Sequence, residues 1–140
     1  MTVLLDTSVY SQPIRNTPLA SVIVRWRRRL EAEYAVSAIV ELEVLQGLCR
    51  NPSPRRTEKY QGLLKGRFPV LPFDAACAEI YARLQTEAAK IGQPRPAFDL
   101  MIASTALRNG LILATCNAKD FQGIDGLTVE DWLTHPDSVQ

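Results

Sequence analysis

The 140-residue chain contains one histidine, His135, near its end. Acid–base chemistry that passes a proton between two imidazoles is therefore closed to it. Its three cysteines, Cys49, Cys77 and Cys116, form no CxxC pair and lie in apolar stretches, where a reduced thiol behaves as a small hydrophobe. That usage fits a reducing cytoplasm. No apolar run approaches the ~18 residues of a membrane span, and no charged leader precedes the first strand, so a soluble, non-exported protein is expected. Neither sign of charge dominates: 16 basic residues face 15 acidic ones, for a net charge of +1. A protein whose main task is gripping a polyanion would carry an overall basic field; here only local patches leave such a substrate open. Linkers, internal repeats and low-complexity tracts are absent too. The length predicts one domain, residues 1–134, with a disordered tail over 135–140.

Short apolar runs alternate with helical spacings. Strands are predicted at Val3–Leu5, Tyr34–Val36, Val70–Phe73, Leu111–Thr115 and, at an edge, Leu127–Val129. Helices are predicted over Pro18–Leu30, Ala38–Cys49, Arg55–Lys65, Ala75–Ile91 and Ala97–Arg108, stopped by Asn51-Pro52, Gly92 and Asn109-Gly110. Such alternation implies an α/β protein with a parallel sheet covered on both faces.

What the chain does have is acids at element boundaries. Asp6 closes the first strand, Glu43 sits in the helix after the second, and Asp99 opens the last helix behind Pro94 and Pro96. An open α/β sheet places its chemistry at such positions. Thr7 and Ser8 carry hydroxyls that can hydrogen-bond Asp6, although a cap of the next turn explains this aspartate equally well. Glu41 and Glu43 diverge by roughly 200° on a helix, so only one can face a given cleft. Gly47, one turn beyond Glu43, leaves room for a ligand and favours Glu43; a solvated helix face would have the same periodicity. Asp99 shares its face with Ile102, Ala103 and Ala106, mostly small side chains that let another backbone approach, the alternative being a first-turn acid complementing the helix dipole. Thr115, Asn117 and Asp120 follow the fourth strand directly and fall on the same sheet edge, where they could also simply cap a turn. Three gathered carboxylates repel by roughly 1 kcal/mol per pair at about 4 Å in water, and by more in a cleft. A hard divalent cation, usually magnesium, removes that penalty.

Taken in order, Leu4-Leu5-Asp6-Thr7-Ser8, Ser37-Ala38-Ile39 with Glu43 and Gly47, Phe98-Asp99-Leu100-Met101-Ile102-Ala103, and Thr115-x-Asn117-x-x-Asp120-Phe121 resemble the motifs of PIN-domain nucleases, specifically the VapC-type toxins of toxin–antitoxin pairs. The resemblance covers nearly the whole chain. It implies a PIN-like three-layer α/β/α sandwich around a mostly parallel sheet of four to five strands. It also implies that Asp6, Glu43 and Asp99 bind Mg²⁺, with Mn²⁺ able to substitute, and carry the hydrolysis of RNA. Thr7, Ser8 and Thr115 would support the carboxylates from behind. Where many PIN domains have a fourth aspartate this chain has Asn117, and Asp120 is the acid that can compensate. The implied partners are a VapB-like antitoxin and a second copy of the chain, in a homodimer or a larger toxin–antitoxin assembly, with no membrane involved.

With no imidazole pair, metal-activated water is the remaining candidate nucleophile. Arg25, Arg27, Arg28 and Arg29, and Arg55, Arg56, Lys59, Lys65 and Arg67, form basic clusters that can track an RNA backbone or merely solvate helix faces. Arg95, four residues before Asp99, is the better placed phosphate contact. Two other classes stand beside the nuclease. An aspartate-based phosphatase wants a second acid where Ser8 stands, and a receiver domain wants an acidic pair where Asp6 is alone. A catalytically silent PIN-fold module binding RNA or protein would have little reason to keep three mutually repelling acids.

Overall fold

The computed structural model describes residues 1–137. Five strands, β1 (Val3–Leu5), β2 (Tyr34–Ser37), β3 (Val70–Leu71), β4 (Ile112–Thr115) and β5 (Val129–Asp131), form one all-parallel sheet in the order β3-β2-β1-β4-β5. Six helices connect and cover them: α1 (Thr7–Tyr10), α2 (Ala20–Trp26), α3 (Ala38–Arg50), α4 (Pro54–Leu63), α5 (Ala75–Lys90) and α6 (Ala97–Asn109). The result is the expected α/β/α sandwich. Val3, Leu4, Leu5, Tyr34, Ala35 and Val36 are wholly buried without alternation, as strands covered on both faces must be. Local chemistry sets the helix starts and stops. Ser37, Ser53 and Asp74 accept from the backbone N–H of Val40, Arg56 and Cys77 at the starts of α3, α4 and α5. Gly110, at φ +64°, ends α6 in the left-handed region that a Cβ disfavours.

The differences from expectation have local causes. The helix predicted over Pro18–Leu30 is only Ala20–Trp26, because the Tyr34 hydroxyl donates to the Trp26 carbonyl at 2.9 Å and the Leu30 N–H donates to the Glu33 carboxylate instead. β3 stops at Leu71 rather than Phe73 because Pro72 has no N–H to continue the ladder. β5 begins two residues later than predicted, after a turn at Gly126 (φ +81°). The single turn of α1 carries no periodicity and was not foreseen; it forms because the Val9 and Tyr10 N–H groups both donate to the Asp6 carbonyl. Just before the expected tail Arg25 donates to the Thr134 carbonyl, and within it Asp137 pairs with Arg28 at 2.6 Å, while residues 138–140 lie outside the described residues.

From β1 the chain steps to β2 and β3, then returns across β1 to β4 and β5. Strand order therefore reverses between β1 and β4, and a crevice opens at their carboxyl ends, the usual ligand position in an open parallel sheet. The Asp6 N–H, donating to the Ala114 carbonyl at 2.9 Å, marks that point.

Candidate active site

Asp6 sits at the bottom of the crevice, 5% exposed. Its Oδ2 accepts from the Thr115 hydroxyl at 2.7 Å and the Ser8 hydroxyl at 2.9 Å. Those hydroxyls are themselves committed, because Thr115 Oγ1 accepts from the Asn117 N–H and Ser8 Oγ from the Cys116 N–H, each at 2.9 Å. An oxygen already accepting from an amide has its own proton free to aim at the carboxylate. The tip of β4 and the start of α1 thus orient Asp6, and among the described residues no hydrogen bond reaches its Oδ1.

Ser37 caps α3 and fixes its first turn, from which Glu43 is carried toward α1. There it accepts from the Thr7 hydroxyl at 2.6 Å. Thr7 therefore supports Glu43, and Ser8 supports Asp6. Burial pushes the Glu43 carboxyl up, the Thr7 hydrogen bond opposes this, and the Asp6 charge adds to it. Glu41 points elsewhere, as the helical angle requires: it accepts from the hydroxyls of Tyr10 and Tyr60, tying α3 to α1 and α4. Both tyrosines are held strongly protonated, by burial first and then by that same glutamate.

Asp99 stands in the first turn of α6, where no side chain caps the helix. Its carboxyl is pushed up to about 6, by burial and then by the charges of Asp6, Asp120 and Glu43, with Arg95 partly opposing. A purely helix-start acid would move the other way, since the dipole favours its charged form. Asn117 and Asp120 lie exposed on the Ala118–Phe121 turn, and Asn117 makes no side-chain cap there. Arg95 donates to the carbonyls of Asp120 and Gln122. It thereby clamps the turn that carries Asp120 against the approach to α6, a bracing role that its sequence position did not suggest.

The donor set is all oxygen, which suits a hard cation, and the carboxylates are close enough to perturb one another. Among the described residues, however, no three such side chains stand together tightly enough to enclose an ion as they are placed. Glu43 and Asp99 are both only partly buried. Beside Glu43 lies a cavity of about 300 Å³ that it shares with Thr7, Gly47 and Arg15. Arg15 escaped the sequence reading because Arg15-Asn16-Thr17-Pro18 has no periodicity to place it. Its charge is felt at Cys116, where it partly offsets the upward push of burial on the thiol.

A parallel α/β domain that gathers one buried and two half-buried acids over its strand-order reversal defines a class, and residues 3–127 match the family model of the PIN domain. The tRNA(fMet)-specific endonuclease VapC of Shigella flexneri is 33% identical over 129 residues, covering 92% of this chain and 96% of its own. Among solved structures, FitAcB from Neisseria gonorrhoeae superposes with a TM-score of 0.85 at 28% identity, covering 94% of this chain and 99% of the other. VapBC2 from Rickettsia felis, bound to a DNA fragment from its promoter, gives a TM-score of 0.82 at 29% identity with the same coverage, 94% and 99%. The chain belongs to the PIN-domain family, in its VapC branch.

Proposed function

We propose that this protein is a metal-dependent endoribonuclease, the toxin of a toxin–antitoxin pair. The observation that carries the reading is the Asp6 carboxylate held at the strand-order reversal by the Thr115 and Ser8 hydroxyls, with Glu43 held by Thr7 on the neighbouring helix; the naming of relatives as ribonucleases and endonucleases supports it. Asp6, Glu43 and Asp99 are the residues that would hold Mg²⁺ or Mn²⁺, with Asp120 and Asn117 at the exposed rim. The ion, when bound, supplies a Lewis acid for the phosphodiester and a lowered pKa for an attacking water. The chain's own part is orientation: Thr115 and Ser8 fix the Asp6 carboxylate, Thr7 fixes that of Glu43, and Arg95 braces the turn bearing Asp120. With no second histidine in the chain, no imidazole pair competes for the acid–base role.

The partner that follows is a VapB-like antitoxin, since solved relatives are VapBC and FitAB complexes. A guanidinium from that partner suits an acidic cleft, where it can make two charge-assisted hydrogen bonds to one carboxylate. We assign the protein to the cytoplasm, in keeping with its unpaired cysteines and with helices none of which is long and apolar enough to cross a membrane among the described residues. The toxin itself is expected to pair as a homodimer. The test is cleavage of structured RNA by the purified, antitoxin-free protein: activity in Mg²⁺ or Mn²⁺ that EDTA abolishes is expected, and undiminished cleavage in EDTA refutes the mechanism. The loosely gathered carboxylates favour one second reading, a silent RNA- or protein-binding module. Tight RNA binding with no cleavage in either metal would establish it.

A further inference from the structure

The cavity beside Glu43 has a chemistry of its own. Two of its lining residues, Thr7 and Glu43, belong to the acidic crevice, so the two spaces are continuous. Its floor is apolar, with Ile14 and Val44 buried and Leu48 partly so. Arg15, beyond α1, and Arg56, in the first turn of α4, line the same space. Neither is in an ion pair among the described residues. Arg15 reaches only the Ser11 hydroxyl at 3.3 Å and Arg56 only the Asn51 carbonyl at 3.0 Å, which leaves most of each guanidinium fork unused. Gly47 opens the remaining wall, since a Cβ built there meets nothing within 4 Å. At about 300 Å³ the cavity is at the small end of ligand pockets.

We propose that this cavity is a subsite for one nucleotide of single-stranded RNA flanking the bond to be cut, its base on the apolar floor and its phosphate held by Arg15 and Arg56. The proposal rests on the nuclease reading, because that reading puts the scissile phosphate in the adjoining crevice. Unpaired guanidiniums match a phosphate in charge and in fork geometry. An unstacked base needs an apolar face, and proteins read RNA mainly through such splayed bases. Arg15 and Arg56 are positioning residues here: they hold the strand, whereas the acids act on the bond.

The experiment measures anisotropy of a fluorescein-labelled single-stranded RNA hexamer, with calcium in place of magnesium and gels confirming that the RNA stays intact. The proteins are the parent, an Arg15→Ala/Arg56→Ala double variant, and Gly47→Leu, each checked by thermal melting. The double variant should bind about tenfold or more weakly at 0.1 M salt, and its salt slope should fall by about 0.7, the loss of one phosphate contact on a single strand. Gly47→Leu fills the cavity without touching charge, so its affinity should fall with the slope unchanged. Folded variants that bind like the parent overturn the subsite, as does a parent that binds no RNA. Magnesium-dependent cleavage measured on the same samples separates the two claims: a parent that cuts while variants bind normally leaves the nuclease and removes the subsite. A parent that binds, is weakened by the variants and never cuts does the reverse. If the variants instead lose copurification with a coexpressed VapB-like antitoxin and keep full RNA affinity, the cavity takes a peptide and the proposal is overturned.

Discussion

Replacing Asp99 by asparagine removes one negative charge from the crevice while keeping the shape of the side chain. Burial and the neighbouring acids raise this carboxyl from the ordinary 3.8 to about 6, so ionising it costs the folded chain more than the unfolded one. At about 1.4 kcal/mol per pH unit the difference corresponds to roughly 3 kcal/mol. Partial exposure and solvent screening reduce that to about 1–2 kcal/mol. Because the folded value lies above the unfolded one, the parent suffers no penalty below pH 4, and the penalty grows as pH rises to about 6 and then levels off. The metal-free Asn variant should therefore match the parent at pH 3.5 and melt roughly 3–8 °C higher at pH 7.5. Magnesium should reverse the ranking at pH 7.5, since it stabilises the parent by binding and finds a poorer ligand in the amide. RNA cleavage should fall steeply in the same variant. Melting curves at both pH values, with and without Mg²⁺, check all of this. A variant that is less stable by a few tenths to about 1 kcal/mol, still responsive to magnesium and still active, would show that Asp99 merely starts a helix.

Thr115→Val removes the 2.7 Å donor to Asp6 at nearly constant shape; it should cost about 1–2 kcal/mol in urea unfolding and lower cleavage more than RNA binding, and equal losses would argue against an orienting role. Glu41→Gln weakens a charge-assisted acceptor of two tyrosine hydroxyls and should destabilise by about 1–3 kcal/mol with cleavage by the folded fraction retained; selective loss of activity without destabilisation would place Glu41 in the site instead. Leu4→Ala, in a wholly buried central strand, should cost about 2–5 kcal/mol by equilibrium unfolding, and a cost under 1 kcal/mol would contradict the two-sided burial of β1. Arg95→Ala should lower magnesium affinity through a loosened Asp120 turn while leaving the salt slope of RNA binding unchanged; a slope change would make it a phosphate contact.

The parallel sheet was legible because Val3–Leu5 and Tyr34–Val36 are unbroken apolar runs, and the second leads straight into a helix, Ala38–Arg50, that the sequence announces. Helical angle separates Glu41 from Glu43 and Gly47 favours the latter; in the structure Glu43 meets Thr7, and Glu41 meets two tyrosines on another side of α3. What escaped depended on contacts distant in sequence. The shortening of α2 is due to Tyr34, and the position of Arg15 beside Glu43 exists only once α1 and α3 have packed. Sequence number puts Arg95 four residues from Asp99, yet what its guanidinium bonds is decided by two carbonyls on a turn that follows β4.

The hydroxyl that fixes Asp6 belongs to a residue 109 positions further along the chain. At about 5–20 residues per second of synthesis, Asp6 is made roughly 5–20 s before Thr115. Through that interval β1 has no β4 beside it and Asp6 has no oriented donor from that side. A chain cut short between Asp99 and Thr115 carries Asp6, Glu43 and Asp99 but lacks the Thr115 hydroxyl that orients Asp6. The arrangement around Asp6 is therefore completed only as the last fifth of the chain is added.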